Sequence, residues 1–418
     1  MEKVYHPRRL REAWWQVRKN AGAAGIDEMT VAEFAQREDE LLHLIHEKLK
    51  AGTYRFKAVR EVLIPKEGAS KKRKLGIPIV MDRVVSQSIN LVFTEIFDAE
   101  LTKSNFGFRK GKSQHQAIWH VRNIVREGYE WCASIDLKSF FDEIPHDLIV
   151  KLIRRKIADE SLVTLVARAL RAGRMQKGRF IKTDKGCPQG SPVSPIISNI
   201  VLNELDQELE KRGHRYCRWA DDFLIFLKSE RAAKRVMEGI VKYLEEELIL
   251  PVNKEKSQVA KVRDVPFLGF QILRGKIRVS NKARKKLKNR VRELTLRNNP
   301  LSMFQIIQEL NEHLRGWVSY FGIQEFKNLL RDLDGWIRSR LRSMQLKKWK
   351  KPRKFQRMMI RAGYKPQEAQ RVWVKMNKWQ SVSRKEVRFT MNLKWFRKKG
   401  LLLLDKFTRR ALELPFSC

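Results

Sequence analysis

The sequence feature that most restricts the fold is a pair of adjacent carboxylates set between two apolar runs. Residues 215–227 read RYCRWADDFLIFL, so apolar and aromatic residues flank Asp221 and Asp222 on both sides. Two apolar runs separated by a short polar break are typical of strands joined in a β-hairpin. The pattern therefore predicts a hairpin with Ala220, Asp221 and Asp222 at its bend.

Another carboxylate follows a second predicted strand. Residues 131–136, WCASID, are mainly apolar and end in Asp136, and the next stretch, LKSFFDEIPHDLI, carries two aromatic residues and a turn. A short apolar run bounded by turn residues is consistent with a buried strand. We therefore expect Asp136 at the end of a strand.

Neighbouring carboxylates repel each other, and bound cations relieve that repulsion. Two carboxylate-bearing strands brought together can hold two divalent ions about 3.5–4 Å apart, the arrangement used for in-line phosphoryl transfer. Oxygen ligands favour Mg²⁺, which commonly uses one or two carboxylates together with substrate phosphates. Asp-Asp is also a common turn sequence, so the dipeptide alone leaves an ordinary hairpin open.

A Gly- and Pro-rich loop runs directly into a predicted amphipathic helix at residues 185–213, KGCPQGSPVSPIISNIVLNELDQELEKRG. Gly186 and Gly190 let the backbone approach a ligand closely, and Gln189 offers both a donor and an acceptor. A loop that enters a helix N-terminus predicts an anion or nucleotide site. A capped helix after a turn is the simpler alternative.

The first hundred residues contain three predicted helices and one predicted hairpin. Apolar spacing predicts helices at residues 8–20, 31–50 and 83–97. Residues 59–65, VREVLIP, alternate like a strand, and the basic turn KEGASKKRK leads to LGIP, which predicts a hairpin. Cations at its tip are placed to hold phosphates, although an ordinary exposed loop explains them as well.

The charge of the chain points to a polyanionic partner. The chain carries 88 Lys and Arg against 47 Asp and Glu, a formal net charge of +41 at pH 7. This excess makes most simple metabolic enzymes a poor match. Most of it follows residue 270, where six tryptophans alternate with the cations: Trp317, Trp336, Trp349, Trp373, Trp379 and Trp395. Such a segment suits phosphate contact and stacking on unpaired bases, whereas a solvated basic face with core tryptophans is the alternative.

Cysteine usage and hydropathy indicate a cellular compartment. Cys132, Cys187, Cys217 and Cys418 lie far apart, so neither a zinc site nor a disulfide framework is predicted. The sequence shows no secretory leader and no run that spans a bilayer. We expect a protein of a reducing cytoplasm, with no membrane partner.

Seven blocks occur in an order shared with a known family. They read IPKEGASKKRKLGIP, SNFGFRKGKSQHQA, SIDLKSFFDEIPHD, GCPQGSPVSPIISNI, RWADDFLIF, LPVNKEKSQV and VPFLGF. In this order the chain resembles reverse transcriptases of the bacterial group II intron type over most of its length. AGAAGID resembles the N-terminal extension block, LNEHLRGWVSYFG the thumb or maturase region, and LDGWIRSRLRSMQLKKWKKPR the entry to the basic DNA-binding domain.

The resemblance implies a fold and a division into domains. The fold is an α+β right-hand polymerase, with fingers and an antiparallel palm sheet, followed by an α-helical thumb and a basic, mainly helical C-terminal domain. The expected domains are an N-terminal extension at 1–55, fingers and palm at 56–275, thumb or maturase at 276–345 and DNA-binding at 346–418. No endonuclease domain is expected, as in the group IIC-type lineage, because the sequence stops at Cys418 before any His- and Cys-rich segment.

The resemblance also assigns roles to particular residues. Asp136 and Asp221 would bind the two metals, assisted by the backbone carbonyl of Leu137, and Asp222 would complete the catalytic carboxylates. Lys66 and Arg73 would contact the triphosphate, and Gln189 would contact the nucleotide. Phe141, or Phe140 one position earlier, would be a steric gate against a ribose 2′-hydroxyl. Lys256 would act as general acid, or is simply an exposed lysine. Nucleic-acid contacts are implied for Arg109, Lys112, Trp219, Arg315, Trp336, Arg338, Lys347, Lys348, Lys350 and Lys351.

Two positions depart from the family pattern. Trp219 stands where Tyr is usual before Ala-Asp-Asp, which changes packing against the primer end while keeping both carboxylates. Glu28 stands where Gly is usual in the N-terminal block, which makes a tight left-handed turn there less favourable.

The expected activity is RNA-directed DNA synthesis from dNTPs on a DNA or RNA primer, with two Mg²⁺ ions or Mn²⁺ as a substitute. The resemblance implies a second role, in which the protein binds its group II intron RNA to assist splicing, and target DNA during mobility. Three alternatives stay open: a domesticated reverse transcriptase for repair or defence, a splicing-only RNA-binding maturase, and a nucleic-acid chaperone, which would explain the charge but not the ordered motifs.

Overall fold

The computed structural model describes residues 1–65, 72–372 and 379–406, and it divides into two compact units, Met1–Val262 and Arg263–Cys418. Each unit has its own core of buried apolar side chains. The predicted boundary after residue 345 falls inside a helix that continues to Trp349. The predicted assignment of residue ranges to fingers and palm, thumb and DNA-binding domain stays a prediction.

The first unit combines helices with two four-stranded sheets. Its strands are β1 (Val59–Pro65), β2 (Lys72–Ile77), β3 (Trp131–Ile135), β4 (Arg174–Gln176), β5 (Arg179–Ile181), β6 (Arg215–Trp219), β7 (Asp222–Leu227) and β8 (Gln258–Lys261). Its α-helices are α1 (Glu2–Tyr5), α2 (Pro7–Asn20), α3 (Val31–Gln36), α4 (Glu38–Lys50), α5 (Val80–Phe97), α6 (Gln114–Arg126), α7 (Phe140–Glu143), α8 (His146–Arg154), α9 (Glu160–Leu170), α10 (Ser194–Lys211) and α11 (Glu230–Lys242).

Sheet 1 has the strand order β2-β1-β4-β5 and contains the predicted hairpin. Strands β1 and β2 are antiparallel, with Ile64 opposite Arg73, whereas β1 and β4 are parallel. The tip of this hairpin, including Lys66, lies outside the described residues.

Sheet 2 has the order β6-β7-β3-β8, and every neighbouring pair is antiparallel. The expected antiparallel sheet is therefore present, with β3 and the β6–β7 hairpin side by side. Helix α10 packs against the core beneath it, since Ile197, Val201 and Leu205 are fully buried. This packing fixes the strands whose ends carry the three predicted catalytic carboxylates.

Two of the three predicted N-terminal helices match the structure closely, and one does not. Helices α2 and α5 cover the predictions at residues 8–20 and 83–97. The single helix predicted at 31–50 is wrong, because Arg37 leaves helical geometry at φ −123° and ψ 26° and divides it into α3 and α4. Three acidic residues follow in the first turn of α4, where the helix dipole favours them.

The second unit is mainly helical. It begins with a hairpin of β9 (Phe270–Leu273) and β10 (Lys276–Val279). Its α-helices are α12 (Asn281–Leu294), α13 (Met303–Phe321), α14 (Lys327–Trp349), α15 (Pro352–Arg361), α16 (Pro366–Arg371), α17 (Lys385–Thr390) and α18 (Leu393–Lys398). No helix within the described ranges is both long and apolar enough to cross a membrane.

Candidate active site

Carboxylates lie at adjacent strand ends of sheet 2. Asp136 directly follows β3, and Asp222 is the first residue of β7. The antiparallel register places Ile135 opposite Phe223, so Asp136 and Asp222 are the next residues along the two strands. Opposed positions in antiparallel strands lie about 4.5–5.5 Å apart between Cα atoms. The register thus brings the carboxylates of the two predicted segments to one edge of the sheet.

The bend between β6 and β7 is a two-residue turn. Trp219 pairs with Asp222, which leaves Ala220 and Asp221 as the turn. Ala220 has φ 57°, a left-handed conformation that suits the first central position of tight hairpin turns but is unusual for alanine. Trp219 is half-buried at the end of β6, next to this turn.

The backbone next to Asp136 offers an oxygen toward the same edge. The carbonyl of Asp136 accepts a hydrogen bond from the amide of Asn253 at 2.8 Å, and the amide of Lys138 donates to the carbonyl of Pro251 at 2.8 Å. Leu137 lies between these two bonds. In such an antiparallel pair, the amide and carbonyl of the central residue turn to the opposite side, which is here the side of β7.

The donor set at this edge fits a divalent cation with hard-ligand preference. It consists of carboxylates and a backbone carbonyl, and the Asp136 side chain is 37% exposed, so an ion can reach it. Among the described residues, no three His, Cys, Asp or Glu side chains surround one point as a preformed metal cage. Mg²⁺ needs no such cage, because substrate phosphates and water complete its octahedral shell.

Lys256 lies beside the carboxylate of Asp136. Its Nζ is 3.6 Å from the Asp136 Oδ2, and 58% of the lysine side chain is exposed. The hydroxyl of Ser257 accepts a hydrogen bond from the Asp136 amide at 3.1 Å. The loop before β8 therefore brings an exposed cation to the edge of sheet 2 at which Asp136 lies.

A polar pocket lies between sheet 1 and the loop before α10. Phe141, Asp142, Gln189, Lys74 and Arg174 are among its lining residues. Phe141 is half-buried there, whereas the neighbouring Phe140 is in the core at 3% exposure. Burial raises the pKa of Asp142, and the nearby Lys74 and Arg174 oppose that rise. Phe141, and not Phe140, is thus among the residues that line this pocket.

Two glycines allow the loop and its neighbours to meet. A Cβ on Gly186 would lie 2.8 Å from the carbonyl oxygen of Asp142, and one on Gly190 would lie 2.5 Å from that of Gly76. Gly190 also has φ 121°, a conformation that L side chains rarely adopt. The amide of Gly76 donates to the carbonyl of Gln189 at 2.8 Å, which ties the loop to β2.

Strand β2 presents its cations on both faces of sheet 1. Arg73 and Lys74 are exposed neighbours, so their side chains point to opposite faces. Lys74 lines the pocket, and sequence reasoning missed it because Lys74 is one of several consecutive cations. Arg73 shares the other face with Leu75, whose Cδ1 would lie 3.3 Å from a Cβ on Gly190.

Two cations predicted to bind nucleic acid are engaged by the chain itself. The Arg109 guanidinium donates to the Asp98 carboxylate at 2.9 Å and to the carbonyl of Thr102 at 2.7 Å, among others, and its side chain is 10% exposed. Lys348 Nζ donates to the carbonyl of Asn299 at 2.7 Å and to that of Leu301. Both side chains therefore hold loops together, a role that their sequence context does not distinguish from nucleic-acid binding.

The other predicted nucleic-acid residues lie at the surface. Lys112 is exposed, with its Nζ 5.4 Å from the centroid of the Phe106 ring. Arg338 and Trp336 are partly buried on α14, and the remaining cations are exposed: Arg315, Lys347, Lys350 and Lys351. Trp317 is instead a core residue of the second unit, at 8% exposure.

Trp336 forms part of a basic surface that the sequence prediction covered only partly. Lys288 Nζ and the guanidinium carbon of Arg292 lie 5.5 and 5.6 Å from its ring centroid. Next to it, an open pocket of the second unit is lined by five cations: Lys276, Arg278, Arg284, Lys288 and Lys327. The signal was present in NKARKKLK, where cations recur at helical spacing.

Comparison with known proteins places these features in a family. Residues 64–272 match the reverse transcriptase (RNA-dependent DNA polymerase) family, and residues 284–362 match the group II intron maturase-specific domain. Protein YkfC of Escherichia coli K12 is 30% identical over 299 residues, which cover 62% of this chain and 78% of YkfC.

Two further relatives are encoded in introns. The group II intron-encoded protein LtrA of Lactococcus lactis subsp. cremoris is 25% identical over 412 residues, covering 75% of this chain and 68% of LtrA. A putative COX1/OXI3 intron 1 protein of Saccharomyces cerevisiae is 32% identical over 289 residues, covering 55% of this chain and 34% of that protein. The chain therefore belongs to the reverse transcriptases of the group II intron type, which are RNA-directed DNA polymerases, and it carries the maturase-specific domain that assists splicing.

Proposed function

We propose that this reverse transcriptase joins nucleotides at the edge of sheet 2 where β3 meets the β6–β7 hairpin. The observation that carries the proposal is the register of Ile135 with Phe223, which sets Asp136 beside the Asp221-Asp222 turn. Two Mg²⁺ ions bound there would activate the primer hydroxyl and neutralise the triphosphate. Asp136 and Asp221, with the Leu137 carbonyl, would hold them, and Asp222 would complete the acidic edge.

The residues around this edge would orient the incoming dNTP. Gln189 would contact the nucleotide, and the half-buried Phe141 would meet its sugar. Arg73, on β2, would contact the triphosphate through its planar fork. Lys66 has the same proposed role but lies outside the described residues. Lys256 would donate the proton that pyrophosphate takes up on departure, because it already lies 3.6 Å from Asp136.

The exposed cations of the second unit would bind the phosphates of RNA and target DNA. Lys347, Lys350 and Lys351 are exposed at and after the end of α14, and Arg315 is exposed on α13. Trp336 would add stacking or cation-π contact where Lys288 and Arg292 approach it. Intron RNA bound for splicing and template RNA bound for copying would both use such phosphate contacts.

Primer extension tests the proposed chemistry. The assay uses an RNA template, a DNA primer, Mg²⁺ and dNTPs, and it compares the native chain, Asp221→Ala and the control Asp147→Ala, whose side chain is 99% exposed. We expect extension by the native chain and the control and none by Asp221→Ala, with RNA binding by fluorescence anisotropy equal in all three. If no protein extends the primer while all bind RNA, the proposed chemistry fails and a splicing-only maturase takes its place.

A further inference from the structure

Behind the catalytic hairpin lies a fully buried ion pair. The side chains of Arg218 on β6 and Asp206 on α10 are both 0% exposed. The Arg218 Nε donates to the two Asp206 carboxylate oxygens at 2.8 and 3.0 Å, and Nη2 donates to the same carboxylate. Apolar residues can often replace a buried ion pair without loss of stability. Fold stability alone therefore gives no reason to have this pair here.

The other end of the same guanidinium reaches the catalytic turn. The Arg218 Nη1 donates to the carbonyl of Ala220 at 3.1 Å and to the Oδ1 of Asn199 at 3.0 Å. Ala220 is the residue with φ 57°, and such a conformation persists only when its surroundings determine it. The guanidinium thus joins a helix of the core to the Ala220 carbonyl, directly before Asp221.

A third segment closes around the turn. The Asn199 Oδ1 also accepts from the Asn105 Nδ2 at 3.3 Å, and its Nδ2 donates to the carbonyl of Gly107 at 2.9 Å. A Cβ on Gly107 would lie only 2.2 Å from the amide nitrogen of Ala220, so the two backbones are in close contact. The Phe106 amide donates to the Arg218 carbonyl at 2.9 Å, which extends sheet 2 past β6.

We propose that Arg218 is a positioning residue that, together with Asp206 and Asn199, fixes the catalytic turn for metal binding. The proposal rests on the proposed function of Asp136, Asp221 and Asp222. Metal and substrate ligands need to be held within about 0.5 Å of the productive geometry. A turn anchored through its carbonyl to buried charges keeps the two carboxylates in place before any ion arrives, so binding requires little reorganisation.

The test separates positioning from simple stabilisation by measuring metal affinity. The double variant Arg218→Met/Asp206→Val removes both buried charges together, which avoids leaving one unpaired. Loss of residues that orient metal ligands typically weakens metal affinity about 10–100-fold. We expect the double variant to unfold cooperatively, to need about tenfold more Mg²⁺ for half-maximal primer extension, and to bind Mn²⁺ correspondingly more weakly by electron paramagnetic resonance without nucleic acid.

Two further variants keep the test decisive. Asn199→Ala retains the ion pair but removes the partner shared by Arg218 and Gly107, and it should raise the Mg²⁺ requirement in the same direction. The control Tyr216→Phe changes a residue on the same strand as Arg218. It deletes a buried 2.6 Å hydrogen bond between Tyr216 and Thr102. It should lower the unfolding temperature and leave the Mg²⁺ requirement and Mn²⁺ affinity unchanged.

The proposal would be overturned if the double variant and Asn199→Ala both fold and both keep the native Mg²⁺ half-saturation and Mn²⁺ affinity. That result would leave the network a role in stability alone. Failure of the proposed function gives a different result, because either no protein would then extend the primer or Asp221→Ala would extend it like the native chain. An Asp221→Ala variant that is inactive, beside network variants with native metal dependence, would refute only the positioning role.

Discussion

At the residue scale, Lys256 lies beside one of the proposed catalytic carboxylates, with its Nζ 3.6 Å from the Asp136 Oδ2. A positioned general acid contributes about 10²–10⁴-fold to a rate. We expect Lys256→Gln to slow single-turnover nucleotide addition at saturating dNTP at least about tenfold, with unchanged affinity for primer and template. Rapid-quench primer extension measures that rate.

Lys254 provides the matched control for Lys256. It lies in the same loop and is 77% exposed, but its Nζ is 4.0 Å from Glu245 and not beside a catalytic carboxylate. Lys254→Gln removes the same charge and should keep the native rate. Equal slowing in the two variants would mean that the loop acts through its net charge, and the role of Lys256 as a general acid would be refuted.

Phe141 is expected to set the choice of sugar, because it is the half-buried aromatic residue in the pocket with Gln189. Phe141→Ala opens space where a ribose 2′-hydroxyl would lie. We expect the ratio of kcat/KM for dNTP over rNTP to fall at least about tenfold, a difference of roughly 1.4 kcal/mol in the barrier. Steady-state incorporation of one matched nucleotide measures this ratio.

The neighbouring Phe140 separates sugar selection from packing. It is 3% exposed, so Phe140→Leu should lower the unfolding temperature through lost core contacts. The sugar ratio should remain native in that variant. A native ratio in Phe141→Ala, or a lowered ratio only in Phe140→Leu, would show that the gate was assigned to the wrong aromatic residue.

Residue patterns predicted the positions of Asp136, Asp221 and Asp222 because each follows or interrupts an apolar strand run. The buried partners of the turn were missed, since polar residues in strands and amphipathic helices ordinarily face solvent. A weak signal existed in Arg218, which stands between Cys217 and Trp219 in the apolar part of β6. Its partner Asp206 directly follows the buried Leu205 of α10, but only the tertiary structure pairs the two charges.

At the element scale, the N-terminal loop shows how tertiary structure overrides a local preference. Glu28 has φ 61°, so the left-handed turn forms even though glutamate replaces the usual glycine. A left-handed conformation costs an L residue roughly 1–2 kcal/mol, which glycine avoids. Glycine also has greater freedom in the unfolded chain, and this cancels part of the gain in stability. We expect Glu28→Gly to raise the free energy of unfolding by up to about 1 kcal/mol, measured by thermal and denaturant unfolding.

Glu28→Ala distinguishes backbone strain from charge. It removes the same carboxylate but keeps a Cβ in the left-handed conformation, so it should give little or no stabilisation. If alanine stabilises the protein as much as glycine, repulsion of the carboxylate and not the backbone conformation is the cause.

Helix breaks were less predictable than helix positions. Apolar spacing located α2 and α5, because a regular apolar stripe must face a core. The break at Arg37 leaves no gap in the apolar pattern, since Phe34 is fully buried in α3 and Leu41 is nearly so in α4. Where two short helices share one core, periodicity alone does not locate the residue at which the chain turns.

At the scale of the whole molecule, the net charge of +41 requires that binding to nucleic acid depend strongly on salt. The second unit supplies exposed cations at and after the end of α14, namely Lys347, Lys350 and Lys351. Each contact with a phosphate releases condensed counterions and adds about 0.7 to 0.9 to the slope of log affinity against log salt concentration. The slope therefore counts contacts, which a single dissociation constant does not.

We expect the triple variant Lys347→Gln/Lys350→Gln/Lys351→Gln to bind RNA more weakly and with a shallower salt dependence. If all three lysines contact phosphates, the slope falls by about 2 to 3. The affinity should then fall by about the same factor for each of several unrelated RNA sequences. The rate of nucleotide addition at saturating primer and template should stay native, since these lysines lie in the second unit and the proposed catalytic carboxylates in the first. Fluorescence anisotropy at several salt concentrations measures the slope.

A matched set of lysines in the first unit tests whether position or charge decides the effect. Lys211, Lys234 and Lys242 are exposed on α10 and α11, and the last two pair with Glu230 and Glu246. Neutralising these three removes the same net charge, and the slope should stay native because two of them already pair with carboxylates of the chain. An equal loss of slope in both triple variants would mean that RNA responds to the overall charge of the molecule, and the end of α14 would lose its assignment as an RNA-binding surface.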